Sequence, residues 1–247
     1  MAVVVESVTQ TLVGANDSAP TFNMPATRPN GDLYVASLAA DGSTTTYFNN
    51  AAAAGWTSYG SPGNGLEGTV GITNLYRVGS SEPASYTWTG DSEEYVFYVY
   101  RFSGAESGAE TYGQSAAITG SSTAAATRST SANASAGDLV FVLWGIDTDA
   151  PTYNSGPTGY TFRGGSSSSA GGAGSVYAGT ATRDATTTAS ESVGSATMPG
   201  TYDDGWAASA LFVNVAVASY TDDMAAAFET QGILRQPPPA RTKVIAY

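Results

Sequence analysis

The side chains able to do chemistry in this chain are carboxylates. Asp147 with Asp149, Glu93 with Glu94, and Asp203 with Asp204 stand close in sequence. Paired carboxylates suit glycoside hydrolysis, where one acid protonates the leaving oxygen and the other attacks or activates water. Each pair lies beside a turn or strand end, where acids also serve turn chemistry and solubility, and that plainer role is the expected one. The stretches "GIDTDAP" and "TGDSEE" alternate acids as calcium loops do, but neither has the twelve-residue spacing with its Gly and closing Glu. No metal and no cofactor is expected.

The remaining catalytic options are few. The chain has no cysteine and no histidine, which removes disulfides, thiolate metal sites, cysteine nucleophiles and imidazole bases. Its single lysine, Lys243, follows three prolines, and no strand-to-helix elbow surrounds any serine to make a Ser/Lys pair. "RGGSSSSAGGAGS" is glycine-rich but lacks the lysine and spacing of a phosphate loop. Aromatic residues near turns, Trp56, Tyr59, Tyr86, Trp88, Tyr153 and Tyr160, could stack on sugars, with Trp56 and Trp88 as the candidate glycan platform. Core packing is the commoner use of such residues.

The elements that must position these residues are strands. Over 247 residues, 42% are hydrophobic and only 12% charged, with 29 glycines and a net charge of −12. Eight arginines are spread from Arg28 to Arg241 without a basic cluster, so no nucleic-acid groove is expected. "TFNMPA", "DLYVASLAA", "TVGITNLYRV", "SYTWTG" and "EYVFYVYRF" form one series of alternating segments. "DLVFVLWGI", "GYTFRGG", "SVYAGTATR", "ESVGSATMP" and "WAASALFVNVAV" form a second. The opening "MAVVVESVTQTLV", interrupted by Glu6 and lacking a basic leader, reads as a strand and not as a secretion signal. No run reaches the ~18 apolar residues of a membrane helix, so no membrane partner is expected.

The two series echo each other. Gly31, Asp32, Leu33 and Asp41 recur at one offset as Gly137, Asp138, Leu139 and Asp147, and Gly55-Trp56 is answered by Gly159-Tyr160. A strand carrying Tyr76 or Tyr177 and a long closing strand follow in each. This predicts an all-β, antiparallel, jelly-roll-like sandwich over 1–218, built from duplicated halves of about 1–119 and 137–218. The Ser/Ala-rich 120–137 is read as a surface crossover in preference to a linker between two domains, because two sheets sharing one core bury more surface than two thin sandwiches.

Residues 219–247 read differently. Thr221 is a plausible N-cap, Asp222 and Asp223 fall in the first turn, and Gly232 marks the stop of a short helix with Met224 and Phe228 on one face. A proline-rich arm follows. Arg235, Pro237, Pro238, Pro239, Arg241, Val244, Ile245 and Tyr247 are its candidate protein-interaction residues, since an extended segment ending in apolar side chains suits strand addition.

The run "GDLYVASLAADG", then "GW", then "LYRVGSSEPASYTWTGDSEEYVFYVYRF", then "GDLVFVLWGIDTDAP" resembles a class of bacteriophage virion proteins with jelly-roll-like β-sandwiches. In those, a GDLLVA-type strand, a Gly-Trp turn and an EPxxYTW segment recur in the same order. The likeness covers roughly residues 20–218, and "SEPASYTWTG" is its most specific part. It implies a non-enzymatic role on the virion as capsid decoration or cement, or as a collar, tail or fibre component. Other virion proteins, the major capsid protein first, and further copies of the chain are the expected partners. The alternative expectation is a collar or tail-fibre component that contacts host glycans.

Overall fold

The computed structural model describes residues 2–42, 55–58, 66–67, 70–105, 118–120, 124–125, 136–147, 156–169, 174–185, 196–197 and 206–216. The chain divides into two compact units, Met1–Ala216 and Val217–Tyr247, and the described residues belong to the first. All their regular structure is β: β1 (Val4–Asp17), β2 (Thr21–Asn23), β3 (Leu33–Asp41), β4 (Thr57–Ser58), β5 (Leu66–Glu67), β6 (Val70–Val78), β7 (Ser85–Thr87), β8 (Glu93–Ser103), β9 (Ile118–Gly120), β10 (Ala124–Ala125), β11 (Leu139–Asp147), β12 (Thr161–Ser167), β13 (Val176–Asp184), β14 (Ala196–Thr197) and β15 (Trp206–Val213). Every alternating segment of the two series contributes a strand, and in "ESVGSATMP" the described part is Ala196–Thr197. The helix expected over 221–231 lies outside the described residues.

Two antiparallel sheets account for most of these strands. One runs β1-β8-β3-β6-β4, with β5 also on β6; the other runs β9-β15-β11-β13-β12. Apart from β9 (Ile118–Gly120), which lies at the end of the first half yet joins the second sheet, each sheet is drawn from one half of the chain, and the two orders match strand for strand. Two smaller pairings, β2 with β7 and β10 with β14, complete the correspondence. The repeated residues explain why both halves take one path. Gly31 and Gly137 have φ of 87° and 98°, and Gly55 and Gly159 have φ of 83° and 84°, left-handed turns that glycine enters without a Cβ clash. Asp32 and Asp138 both tie the start of their strand to the closing strand's segment: Arg101 Nε donates to Asp32 Oδ2 at 2.7 Å, and the Val215 N–H donates to Asp138 Oδ1 at 2.7 Å. Arg77 and Arg183 keep the same offset, and each lies over the aromatic ring after its turn glycine, 5.9 Å from Trp56 and 4.6 Å from Tyr160. Tyr76 and Tyr177, by contrast, are not counterparts. Tyr76 stands opposite Val35 near the far end of its strand, and Tyr177 stands opposite Ile146 near the beginning of its own.

The sheets close on one core. From the first come Val35, Ala39, Ile72, Val96, Tyr98, Tyr100 and Phe102, and from the second Leu139, Phe141, Leu143, Val176, Ala178, Leu211 and Val213. Tyr100 and Phe141 meet edge to face across the gap with centroids 4.9 Å apart. Buried polar contacts also join the sheets. Ser37 Oγ donates to Asn74 Oδ1 at 2.6 Å, Asn74 Nδ2 donates to Ser209 Oγ at 3.0 Å, and the Tyr100 hydroxyl bonds Thr180 Oγ1. Asn74 and Thr180 occupy matching positions, so the two bridges are related by the same internal repetition.

Strand β8 shows why both faces carry rings. Its even residues enter the shared core, while Tyr95, Phe97 and Val99 face outward into a second cluster with Phe22, Met24, Trp56 and Trp88. Paired strands β2 and β7 carry Phe22 and Tyr86, and Phe22 stacks on Phe97 with centroids 5.2 Å apart. The outward face of the second sheet holds a third cluster, including Val142, Trp144, Ile146 and Phe212.

Candidate functional site

Period-2 alternation sends Leu33, Val35, Ala39 and then Asp41 toward the space between the sheets, and Leu139, Phe141, Leu143 and then Asp147 toward it from the other side. The two repeated aspartates therefore end their strands at the same rim of the core. Glu94, on the inward side of β8, joins them there and accepts a hydrogen bond from Ser168 Oγ at 2.5 Å. Ser168 is itself held by the second sheet, since its N–H donates to the Val176 carbonyl at 2.8 Å and its Oγ accepts from the Val176 N–H at 3.1 Å. Burial, then the charge of Asp147 and then that of Glu94, push the Asp41 carboxyl up from 3.8 to about 6. Burial, followed by the charges of Asp41 and Asp91, pushes Glu93 up as well.

Burial and neighbouring charge favour a proton on Asp41 at this rim. Among the described residues no group of three or more Asp, Glu, His or Cys is placed to hold a metal ion. Glu93 and Glu94 leave β8 on alternate sides, so they do not form a facing acid pair. Asp147 acts electrostatically on Asp41 across the sheets, while Asp149, Asp203 and Asp204 lie outside the described residues. Sequence proximity had suggested pairs along the strand, and the fold makes its pair across the sheets.

The rim predicts a pH dependence of stability. A carboxyl whose pKa is higher folded than unfolded adds stability that is complete below about 3.8 and is lost as the pH rises through about 6. Asp41→Asn, which mimics the protonated form, is expected to exceed the parent by about 1–2 kcal/mol at pH 7.5, allowing for solvent screening, and to match it by about pH 4. Denaturant melts of both proteins across this range measure it, and a difference that does not vary with pH would contradict the pairing.

Two of the aromatic candidates, Trp56 and Trp88, are placed in the interior. Trp88 is fully buried and Trp56 is 6% exposed, so neither indole offers a face to a sugar ring, and the glycan platform expected of them is corrected. Trp56 precedes β4 and Trp88 follows β7, and both pack with Phe22, Tyr95 and Phe97 between the sheet and the β2 and β7 layer. Tyr86 and Tyr160 are half-buried, and Tyr59 and Tyr153 lie outside the described residues.

The stretch "SEPASYTWTG" has a clear structural task. Glu82, with its side chain wholly buried, makes an ion pair with Arg77 at 2.9 Å, accepts a hydrogen bond from the Tyr86 hydroxyl, and takes the Ser80 N–H on Oε1 at 2.8 Å. The Arg77 guanidinium also lies 5.0 Å from the Tyr86 ring. Ser81, at φ 59°, donates its N–H to Asn30 Oδ1 at 2.7 Å, and Arg28 Nε reaches the Glu82 carbonyl at 3.1 Å. Together these contacts latch the outer layer to the sheet. The sequence signal for this hub was an acid beside a proline and near three aromatics, and nothing in it distinguished a latch from a binding loop.

No protein-family model, curated protein or solved structure matches this chain. The likeness to virion sandwiches rests on the quoted stretches alone. Among the described residues no helix is long and apolar enough to cross a membrane. The described arginines are engaged internally: Arg28, Arg77, Arg101 and Arg163 on oxygens of the same chain, and Arg183 over Tyr160. The arm residues Arg235, Pro237, Pro238, Pro239, Arg241, Val244, Ile245 and Tyr247 lie outside the described residues.

Proposed function

We propose that this chain is a non-enzymatic structural protein of a bacteriophage virion, a capsid decoration or cement protein bound to other virion proteins, the major capsid protein first among them. The observation that carries the reading is the way its side chains are used. The aromatics, the buried carboxylate and the arginines of the stretches that resemble virion proteins are engaged inside the sandwich. Among the described residues a long strand edge is left outside, in a chain of net charge −12. Such a molecule recognises by surface packing and backbone pairing, which is how a decoration protein holds to neighbouring subunits. The alternative, a collar or tail-fibre component reading host glycans, loses its platform with the burial of Trp56 and Trp88.

Mass spectrometry of particles purified from the system that encodes this chain provides the test. The protein is expected among the virion proteins in copy numbers comparable with the capsid subunit. Removal of residues 233–247 is expected to leave the sandwich folded and to abolish its attachment. Particles that lack the full chain would overturn the proposal, and arm-less protein at unchanged occupancy would remove the arm from it.

A further inference from the structure

The free edges of the two sheets are unequal. Edges β4 and β9 have two and three residues, and edge β12 carries Arg163 at a break in its register. Short edges, charges and bulges are the usual protection against pairing with another chain. Strand β1 has fourteen residues, and among the described residues β8, on one side, is the one strand paired with it; Thr11 Oγ1, on the outward face, accepts the Asn23 N–H at 3.0 Å. Between two irregularities, at Val5/Ser7 and Val13/Asp17, its register with β8 is unbroken from Ser7 to Val13. Those seven residues, Ser-Val-Thr-Gln-Thr-Leu-Val, contain no charge, no proline and no glycine in a chain of net charge −12. Among the described residues the exposed large hydrophobics, Val4 at 49% and Leu12 at 46%, both lie on this strand.

We propose that this edge pairs with the same edge of a second copy, antiparallel, about a two-fold axis at Gln10. The seven-residue stretch reads nearly the same in both directions, which an antiparallel pair about a dyad requires. With Gln10 on the axis, Val8 faces Leu12 of the second copy, Thr9 faces Thr11, and Ser7 faces Val13. A dyad normal to the sheet keeps the faces in register, so the exposed Leu12 meets an apolar residue on its own side and the threonines meet on the other. Apolar and Thr–Thr cross-strand pairs of this kind stabilise antiparallel sheets. Gln10 keeps its Nε2 on the Tyr98 hydroxyl at 2.9 Å, which holds the amide in place at the axis.

An edge of seven residues, about 24 Å long, buries well under the ~800 Å² per partner of a standard stable interface. The dimer is therefore weak in dilute solution and strengthens where many copies are held on one surface. This inference goes beyond the virion reading and does not need it. Absence from particles would leave self-pairing untouched, and a monomer could still decorate a capsid.

Sedimentation equilibrium of the full chain up to about 1 mM, where a millimolar dimer is half-formed, tests the pairing with two charge variants. The parent is expected to dimerise reversibly. Gln10→Glu and Gln10→Lys each bring like charges together at the axis and are expected to weaken the dimer at least tenfold or so, while an equimolar mixture of the two restores it. Leu12→Lys, at an exposed position that leaves the Gln10–Tyr98 bond intact, is expected to weaken it as well. Circular dichroism and melting temperature check that each variant is folded. A parent that stays monomeric throughout, variants that associate as the parent does, or a mixture that fails to recover would each overturn the proposal.

Discussion

Glu82→Ala is expected to lower the stability of the sandwich by about 3–5 kcal/mol, the range for removing one partner of a buried ion pair and leaving the other uncompensated. Three groups lose their acceptor at once: the Arg77 guanidinium, the Tyr86 hydroxyl and the Ser80 N–H. Burial, and then the hydrogen bond to Glu82, push the Tyr86 phenol above its ordinary range. The phenol therefore stays protonated, and in the variant its O–H has lost the carboxylate that accepted it. Loss of the latch frees the β2 and β7 layer and lets water reach Trp56 and Trp88, so tryptophan emission should shift to the red before global unfolding. Glu82→Gln keeps an acceptor and loses the charge, and is expected to fall between the parent and the alanine variant. Urea melts followed by fluorescence and far-ultraviolet dichroism measure both effects. A Glu82→Ala protein within about 1 kcal/mol of the parent, in the range of ordinary surface substitutions, would show that the hub does not hold the layer.

Asn74→Ala is expected to cost about 3–4 kcal/mol, because it removes the amide that bonds Ser37 on its own sheet and Ser209 on the other and leaves a cavity between them. All three side chains are fully buried, so no solvent replaces the lost partner. The cost of an unmade bond exceeds the gain of a made one. The triple variant Ser37→Ala, Asn74→Leu, Ser209→Ala should therefore recover to within about 1 kcal/mol of the parent. Equilibrium melts of the single and triple variants, combined as a mutant cycle, isolate the coupling. Additive losses with no recovery would mean that the cost comes from packing and not from the polar bridge.

The strands were legible because alternation is a local property. In "EYVFYVYRF" the assignment of Tyr95, Phe97 and Val99 to one face and Val96, Tyr98 and Tyr100 to the other follows from the pleat alone, and both faces are buried as bulky residues on each side required. The repeat of Gly31, Asp32 and Leu33 as Gly137, Asp138 and Leu139 was legible for a similar reason, since a turn with positive φ and a capped strand start leave their own residues in the text. The strands that carry Tyr76 and Tyr177 do correspond, although the two tyrosines stand at different places in them, because one residue type carries no register, which is set by what stands opposite.

The candidate chemistry was less legible. Glu93 and Glu94 are neighbours in sequence and part on opposite sides of β8, while Asp41 and Asp147, far apart in sequence, share one rim. Trp56 and Trp88 stand near turns, as stacking residues do, yet nothing local records that the β2 and β7 layer covers the outward face of their sheet.

By itself, the sequence determined that this protein is an antiparallel β structure, where its strands run, which of their residues face together, and that imidazole and thiol chemistry are closed to it. These follow from backbone dihedral preference, the two-residue period and the residue inventory, which need no distant partner. Only the tertiary structure decided that, β9 apart, each half supplies one sheet, that the two sheets share a core bridged by Asn74 and Thr180, that Asp41 and Asp147 share one rim and Trp56 and Trp88 are buried, and that among the described residues one edge of β1 carries no paired strand. Those outcomes depend on which surfaces exclude water together, and contacts between residues far apart in sequence leave no period to read.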